Sequence, residues 1–275
     1  ASNYVIFALA ATQDTAFSTE VIYHGAHMVS DDELREMIDY ARTLDLKVML
    51  KPTVNPSDGT WRAHINFFDL DVPCEPKWKD WFQSYTAYQM HYARIAEEKQ
   101  VEMVIAGCEM VQTERREQEW RQLINDLRTV YHGLITYNTD KYQEANVEWW
   151  DAVDVISSSG YYPLGDWQNQ LDRIEAIIKP YNKPFFFAEA GCPSRTGSSQ
   201  IPNAWTLEGE VNLEEQKRFY EDMFEQTSKR DWIKGFGLWD WKAILYPEKE
   251  AHLDKDYAVF GKPAEQVIRQ FYLMK

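Results

Sequence analysis

The sequence is short of the features that announce a bound cofactor, a redox compartment or a membrane. Of 275 residues only three are cysteines, Cys74, Cys108 and Cys192. Their odd number and wide spacing exclude a disulfide framework and a zinc pattern, so reduced, buried thiols are expected. No Gly-rich phosphate loop opens a helix. The Gly-x-Gly at 235–237 lies inside a strand-like run and lacks the third glycine, which weighs against a dinucleotide fold. There is no apolar run of membrane-spanning length and no signal-peptide pattern. Two compartments stay open: cytoplasmic, or secreted with a leader already removed. Basic residues are outnumbered, 29 Lys and Arg against 44 Asp and Glu, for a net charge of −15. That balance argues against nucleic acid and anionic membranes as partners. His24, His27 and His64 lack ligand spacing, so neither a metal nor another cofactor is expected.

Aromatic residues are what the chain has in excess: 11 Trp, 16 Tyr and 13 Phe. Most are expected in the core, and the remainder would line a cleft, because sugar rings stack their C–H faces on Trp and Tyr. Apolar runs of strand length alternate with segments of helical period. Ser30-Asp31-Asp32-Glu33 is a capping box opening a helix over about 31–45, with Leu34, Met37, Ile38 and Ala41 on its buried face. Lys47 to Pro52 reads as a strand that Pro52 stops, followed by a long loop over 53–75. Further helices are expected near 76–99, 115–131, 168–179 and 213–228, and after Gly261-Lys262-Pro263. The alternation predicts a parallel α/β fold of seven strands and seven helices over one domain, residues 1–275. A closed barrel needs eight of each. The expectation is therefore a TIM (β/α)8-type barrel without its first βα unit: either it is shortened, naturally or by engineering, or a partner, a terminal segment or a homodimer covers the open edge.

Two stretches share one design. Val101-Glu102-Met103-Val104-Ile105-Ala106-Gly107-Cys108-Glu109 and Lys183-Pro184-Phe185-Phe186-Phe187-Ala188-Glu189 are buried-strand runs that end in a carboxylate. Parallel α/β folds place their chemistry at that end of their strands. If the first visible strand is the second of eight, Glu109 ends strand four and Glu189 strand seven, which face each other across a barrel mouth. Paired carboxyls on rigid mounts are what glycoside hydrolysis uses, one to protonate the leaving oxygen and one to attack or to activate water.

Further motifs are LKPTV at 50–54, GTWR at 59–62, AGCEM at 106–110, the Trp120-Arg121 helix, TYN at 136–138, GYYPL at 160–164, FAEAG at 187–191 and LWDW at 238–241. Taken together, these motifs resemble clan A glycoside hydrolases, and family 113, the β-1,4-mannanases, most of all. They cover nearly the whole chain in family order. The resemblance implies a retaining hydrolase of β-1,4-linked mannan or manno-oligosaccharides, with Glu109 as acid/base and Glu189 as nucleophile, their carboxyls roughly 5–5.5 Å apart. It implies that Tyr161 or Tyr162 hydrogen-bonds the nucleophile. Trp239 or Trp241 would floor the reacting subsite, both on one side of the last strand. Asn138, Lys51, Asn55, Trp61 and Arg62 would contact sugar hydroxyls, and Trp205 would wall a subsite. Cys108 departs from the clan's usual Asn before the acid/base, and thiol is a weak donor to the sugar 2-hydroxyl. Two alternatives stand beside this reading: a retaining glycosidase for another β-linked sugar such as xylan, glucan or an amino-sugar polymer, and a catalytically weak carbohydrate-binding barrel.

Overall fold

The structure is a computed structural model that describes every residue except Ala1, His27, Leu207 and Lys275. His27, named above among histidines without ligand spacing, lies outside the described residues. The chain clusters into two compact units, Asn3–Ser157 and Ser158–Lys275 with Ala1–Ser2.

The first unit contains β1 (Tyr4–Gln13), α1 (Asp31–Thr43), β2 (Lys47–Pro56), α2 (Trp78–Glu98), β3 (Met103–Cys108), α3 (Glu117–Arg128) and β4 (Leu134–Thr139). β1 pairs with β2, β2 with β3 and β3 with β4, all parallel. β5 (Ile156–Gly160) carries the boundary. The second unit continues with α4 (Trp167–Ile178), β6 (Phe185–Ala190), α5 (Leu213–Thr227), β7 (Ile233–Leu238) and α6 (Pro263–Leu273), and β6 pairs with β7 in parallel.

The local reasons for these elements are legible. Ser30 Oγ accepts from the Glu33 N–H at 3.2 Å, while the Glu33 carboxylate accepts from the Ser30 N–H at 2.8 Å, so the capping box fixes the start of α1. α3 buries Trp120, Leu123, Ile124 and Leu127 along one stripe, and each such side chain contributes about 1.5–3 kcal/mol of burial. β3 and β6 are buried at every residue, which is why they read as continuous apolar runs rather than alternating ones. β1 and β7 are half-exposed along much of their length.

The aromatic excess is mostly structural. Trp78, Trp81, Trp120, Trp149, Trp150 and Trp167 are buried. On α2, Trp81 stacks on Tyr85 with ring centroids 4.7 Å apart. The polar tips of this helix reach strand backbone: Tyr85 Oη donates to the Ala106 carbonyl at 3.0 Å and Tyr88 Oη to the Leu9 carbonyl at 2.7 Å. A ring thus fills volume while its tip donates to a strand carbonyl.

Four expectations need correction. Pro52 does not stop β2, which runs on to Pro56 in register with β1. Pairing of β2 with β3 ends at Leu50, and the Pro52 carbonyl accepts from Gln89 Nε2 at 3.1 Å. With no ladder to serve on that side, the missing N–H costs nothing. The described residues hold six α-helices rather than seven, because β4 and β5 are joined only by short 3-10 turns at Glu144–Asn146 and Trp150–Ala152. The last strand ends at Leu238, so Trp239 and Trp241 are not strand residues and alternation does not govern them. Cys74 is exposed, whereas Cys108 and Cys192 are buried thiols.

Gly107 tests the packing of β3. A Cβ there would come within 2.9 Å of the Tyr137 ring and 3.0 Å of Trp120. Gly107→Ala is expected to destabilise the fold by about 1–3 kcal/mol through overpacking, read as a lower urea midpoint; an unchanged midpoint would refute this account of β3.

Candidate active site

Glu109 follows the last residue of β3 directly and has a left-handed backbone, φ 52°. That conformation costs a residue other than glycine about 1–3 kcal/mol and persists only where surroundings over-determine it. Here the Glu109 N–H donates to the Asn138 carbonyl at 2.7 Å, and the next N–H, of Met110, donates to Tyr137 Oη at 3.0 Å. The Glu109 residue is 9% exposed. Its Oε2 lies 3.7 Å from Arg62 Nη1, whose guanidinium also donates from Nη1 to Cys108 Sγ at 3.2 Å and from Nε to Asn55 Oδ1 at 3.1 Å. Asn138 is buried, its Oδ1 3.8 Å from Cys108 Sγ. The first unit therefore brings Asn55, Arg62, Cys108, Glu109 and Asn138 into one polar cluster at the C-terminal ends of β2, β3 and β4. Lys51 is buried within β2. Trp61 is 43% exposed and packs edge-on against His64.

Behind this cluster lies a carboxyl that motif reasoning passed over. Glu114 is fully buried, and its Oε1 accepts from Tyr137 Oη at 2.8 Å and from Thr139 Oγ1 at 2.7 Å, while Oε2 has no partner. Burial is the main cause that pushes its pKa up to about 8; the two donors oppose the shift, and Asp140 and Glu144 add to it. Nothing local marks Glu114 in the sequence. Its role follows from Tyr137, 23 residues away, reaching back to it.

The second unit holds Glu189 inside β6, 7% exposed, with Tyr161 Oη donating to its Oε2 at 2.8 Å. Of the two tyrosines left open by the sequence, Tyr161 makes this contact, and Tyr162 is fully buried against the rings of Trp167 and Phe187. Gly191 is required two residues on. A Cβ there would lie 2.3 Å from the Trp239 carbonyl oxygen, and the Trp239 N–H donates to the Ala190 carbonyl at 2.8 Å. The glycine lets the chain leaving β7 pass against the end of β6. Trp239 is half-buried, with Trp205 edge-on to it at 5.9 Å and Tyr257 next to Trp205 at 5.2 Å. Trp205 is 60% and Trp241 64% exposed, and Trp241 packs edge-on against Phe260. Trp239 Nε1 and Asp240 Oδ1 are buried with no hydrogen-bond partner. Tyr257 and Asp240 were missed by sequence reasoning, since each sits in an aperiodic loop.

Among the described residues, no group of three or more His, Cys, Asp or Glu side chains is placed to hold a metal. No helix there is long and apolar enough to cross a membrane.

Buried parallel strands that deliver carboxylates at their C-terminal ends form the framework of barrel enzymes. The model of Glycoside Hydrolase Family 113 matches residues 1–262. The solved structure of a GH113 β-1,4-mannanase is 64% identical, with TM-score 0.98 over 100% of this chain and 89% of that one. The GH113 β-mannanase AaManA from Alicyclobacillus acidocaldarius, in complex with ManMIm, is 43% identical, with TM-score 0.95 over 99% and 88%. A β-D-glucuronidase from Dictyoglomus thermophilum, 15% identical, matches at TM-score 0.62 over 86% of this chain and 42% of that one, and shares the fold alone. No curated protein sequence matches. The fold is the TIM-type (β/α) barrel, with seven parallel strands described here. The chain belongs to Glycoside Hydrolase Family 113.

The raised Glu114 pKa has a sign that can be checked. Between the ordinary carboxyl value of 4.5 and about 8 the folded protein holds a proton that the unfolded chain has released. Stability from this site is thus fully present below about 4.5 and is lost as pH rises towards 8. Glu114→Gln removes that dependence. Its melting temperature, relative to the parent, is expected to rise steadily across this window, and a constant offset would refute the assignment.

Proposed function

We propose that this chain hydrolyses β-1,4-linked mannan or manno-oligosaccharides with retention of anomeric configuration, residues 1–275 acting as one catalytic barrel domain. The family membership and the 64% identical GH113 β-1,4-mannanase carry this reading. In the first step the Glu189 carboxylate attacks the anomeric carbon while Glu109, protonated, gives its proton to the departing glycosidic oxygen. The C–O bond breaks and a glycosyl ester of Glu189 forms. In the second step the Glu109 carboxylate takes a proton from water, the oxygen of that water attacks the anomeric carbon, and Glu189 leaves. Tyr161, donating to Glu189 Oε2, orients the nucleophile. Arg62, Asn55 and Asn138, with Lys51 and Trp61, would meet sugar hydroxyls on the Glu109 side. Trp239 would floor the reacting subsite, joined by Trp205 as a wall. Tyr162, enclosed among core rings, and Trp241, packed against Phe260, are the weakest members of the motif-derived set.

The runner-up is hydrolysis of another β-linked sugar, and Cys108 favours it. The thiol is committed to Arg62 and Asn138 and donates weakly in any case. A panel of aryl β-glycosides separates the two, and turnover confined to substrates other than manno-configured ones would select the runner-up. A homodimer over the β1 edge is tested by light scattering, where a monomer at micromolar concentration rules it out.

On manno-oligosaccharides, Glu109→Gln is expected to lower turnover about 10²–10⁴-fold, and Glu189→Gln at least as much. Tyr161→Phe, losing a hydrogen bond to a charged group worth about 1.5–3 kcal/mol, is expected to lower kcat/KM roughly ten- to hundredfold. Unchanged activity in either glutamate variant would sink the assignment, and an α-configured first product by NMR would exclude retention.

A further inference from the structure

The support behind Glu109 is a connected chain of hydrogen bonds. The Met110 N–H, one residue past the left-handed Glu109, donates to Tyr137 Oη at 3.0 Å. The single hydroxyl hydrogen of Tyr137 goes to Glu114 Oε1 at 2.8 Å, which leaves the phenol's lone pairs for Met110. Thr139 Oγ1 donates to the same carboxyl oxygen at 2.7 Å. Glu114 cannot swing away, because Trp149 Nε1 donates to its backbone carbonyl at 3.0 Å. The turn between Met110 and Glu114 is pinned as well: Thr113 Oγ1 donates to the Met110 carbonyl at 2.8 Å, and Trp120 Nε1 to the Thr113 carbonyl at 3.0 Å. Trp120 and Trp149 stack with centroids 5.0 Å apart. The Tyr137 ring itself sits against Gly107.

We propose that Glu114 and Tyr137 are positioning residues for the acid/base, holding the Met110 N–H and so the strained Glu109 backbone in the orientation that delivers its proton to the leaving oxygen. The proposal rests on Glu109 being the acid/base. Tyr137 Oη can orient its lone pair on Met110 only if an acceptor takes its hydrogen. An acceptor at Glu114 Oε1, not a negative charge, is the requirement. With Oε2 buried and without a partner, and the carboxyl pushed towards protonation at neutral pH, the neutral acid meets it.

A mispositioned acid has a kinetic signature that a merely loosened fold lacks. Expulsion of a sugar or an unsubstituted phenol needs the proton, whereas expulsion of 2,4-dinitrophenolate does not. The experiment measures kcat/KM of the full chain on phenyl and on 2,4-dinitrophenyl β-mannobiosides. Tyr137→Phe and Glu114→Leu are expected to lose about tenfold or more on the phenyl substrate and to stay within about threefold on the dinitrophenyl one. Glu114→Gln, which keeps the acceptor oxygen, is expected to restore the parent ratio relative to Glu114→Leu. Should Tyr137→Phe fail to fold, the same ratio is read on Thr139→Val, which removes the second donor to Glu114 and should shift it in the same direction. Equal losses on both substrates, or no loss, would overturn the proposal. A parent enzyme inert on both substrates and on mannan overturns it together with the functional reading, whereas an active parent with unselective variants overturns it alone.

Discussion

Glu109 is a buried carboxylate whose backbone turns left-handed where β3 ends, and that turn holds only if its two buried N–H groups are taken. Everything near Glu109 answers to that constraint. β3 ends at Cys108, Glu109 turns left-handed, and its N–H and the next one are taken by the Asn138 carbonyl and Tyr137 Oη. Without those two acceptors the strained turn would leave buried donors unsatisfied and would relax. The partners come from β4, so the pairing of β3 with β4 is what makes the turn affordable.

Glu189 solves the same problem differently. It stays inside β6, whose last residue is Ala190, and needs no left-handed backbone. Its control comes from Tyr161 at the oxygen and from the Trp239 peptide, which Gly191 admits against the strand end. One glutamate is positioned by its main chain, the other by its side chain. Variants around the first should therefore act through backbone geometry, and variants around the second through side-chain hydrogen bonding.

Part of the aromatic excess follows the same logic of satisfaction. Tyr85, Tyr88, Trp120 and Trp149 are core rings whose polar tips each reach at least one backbone carbonyl. The exposed tryptophans Trp61, Trp205 and Trp241 lie in loops. Composition alone had no means of separating the two sets, because both contain the same residue types at similar spacing.

The parallel strands, the helices between most of them and the strand-end position of both glutamates were written in apolar run lengths and helical period. Local chemistry decides such features, and the capping box of α1 was readable to the residue. Other features waited for the tertiary structure. Pro52 lies within a strand because pairing on its carbonyl side has already lapsed. Tyr161 rather than Tyr162 meets Glu189, a choice set by how the chain turns after β5. Nothing along the sequence marks Glu114. It becomes a buried acceptor because β4 brings Tyr137 and Thr139 onto it from more than twenty residues away. A pattern along the chain reports what each segment must bury. Which polar groups meet once it is buried depends on neighbours that the pattern does not contain.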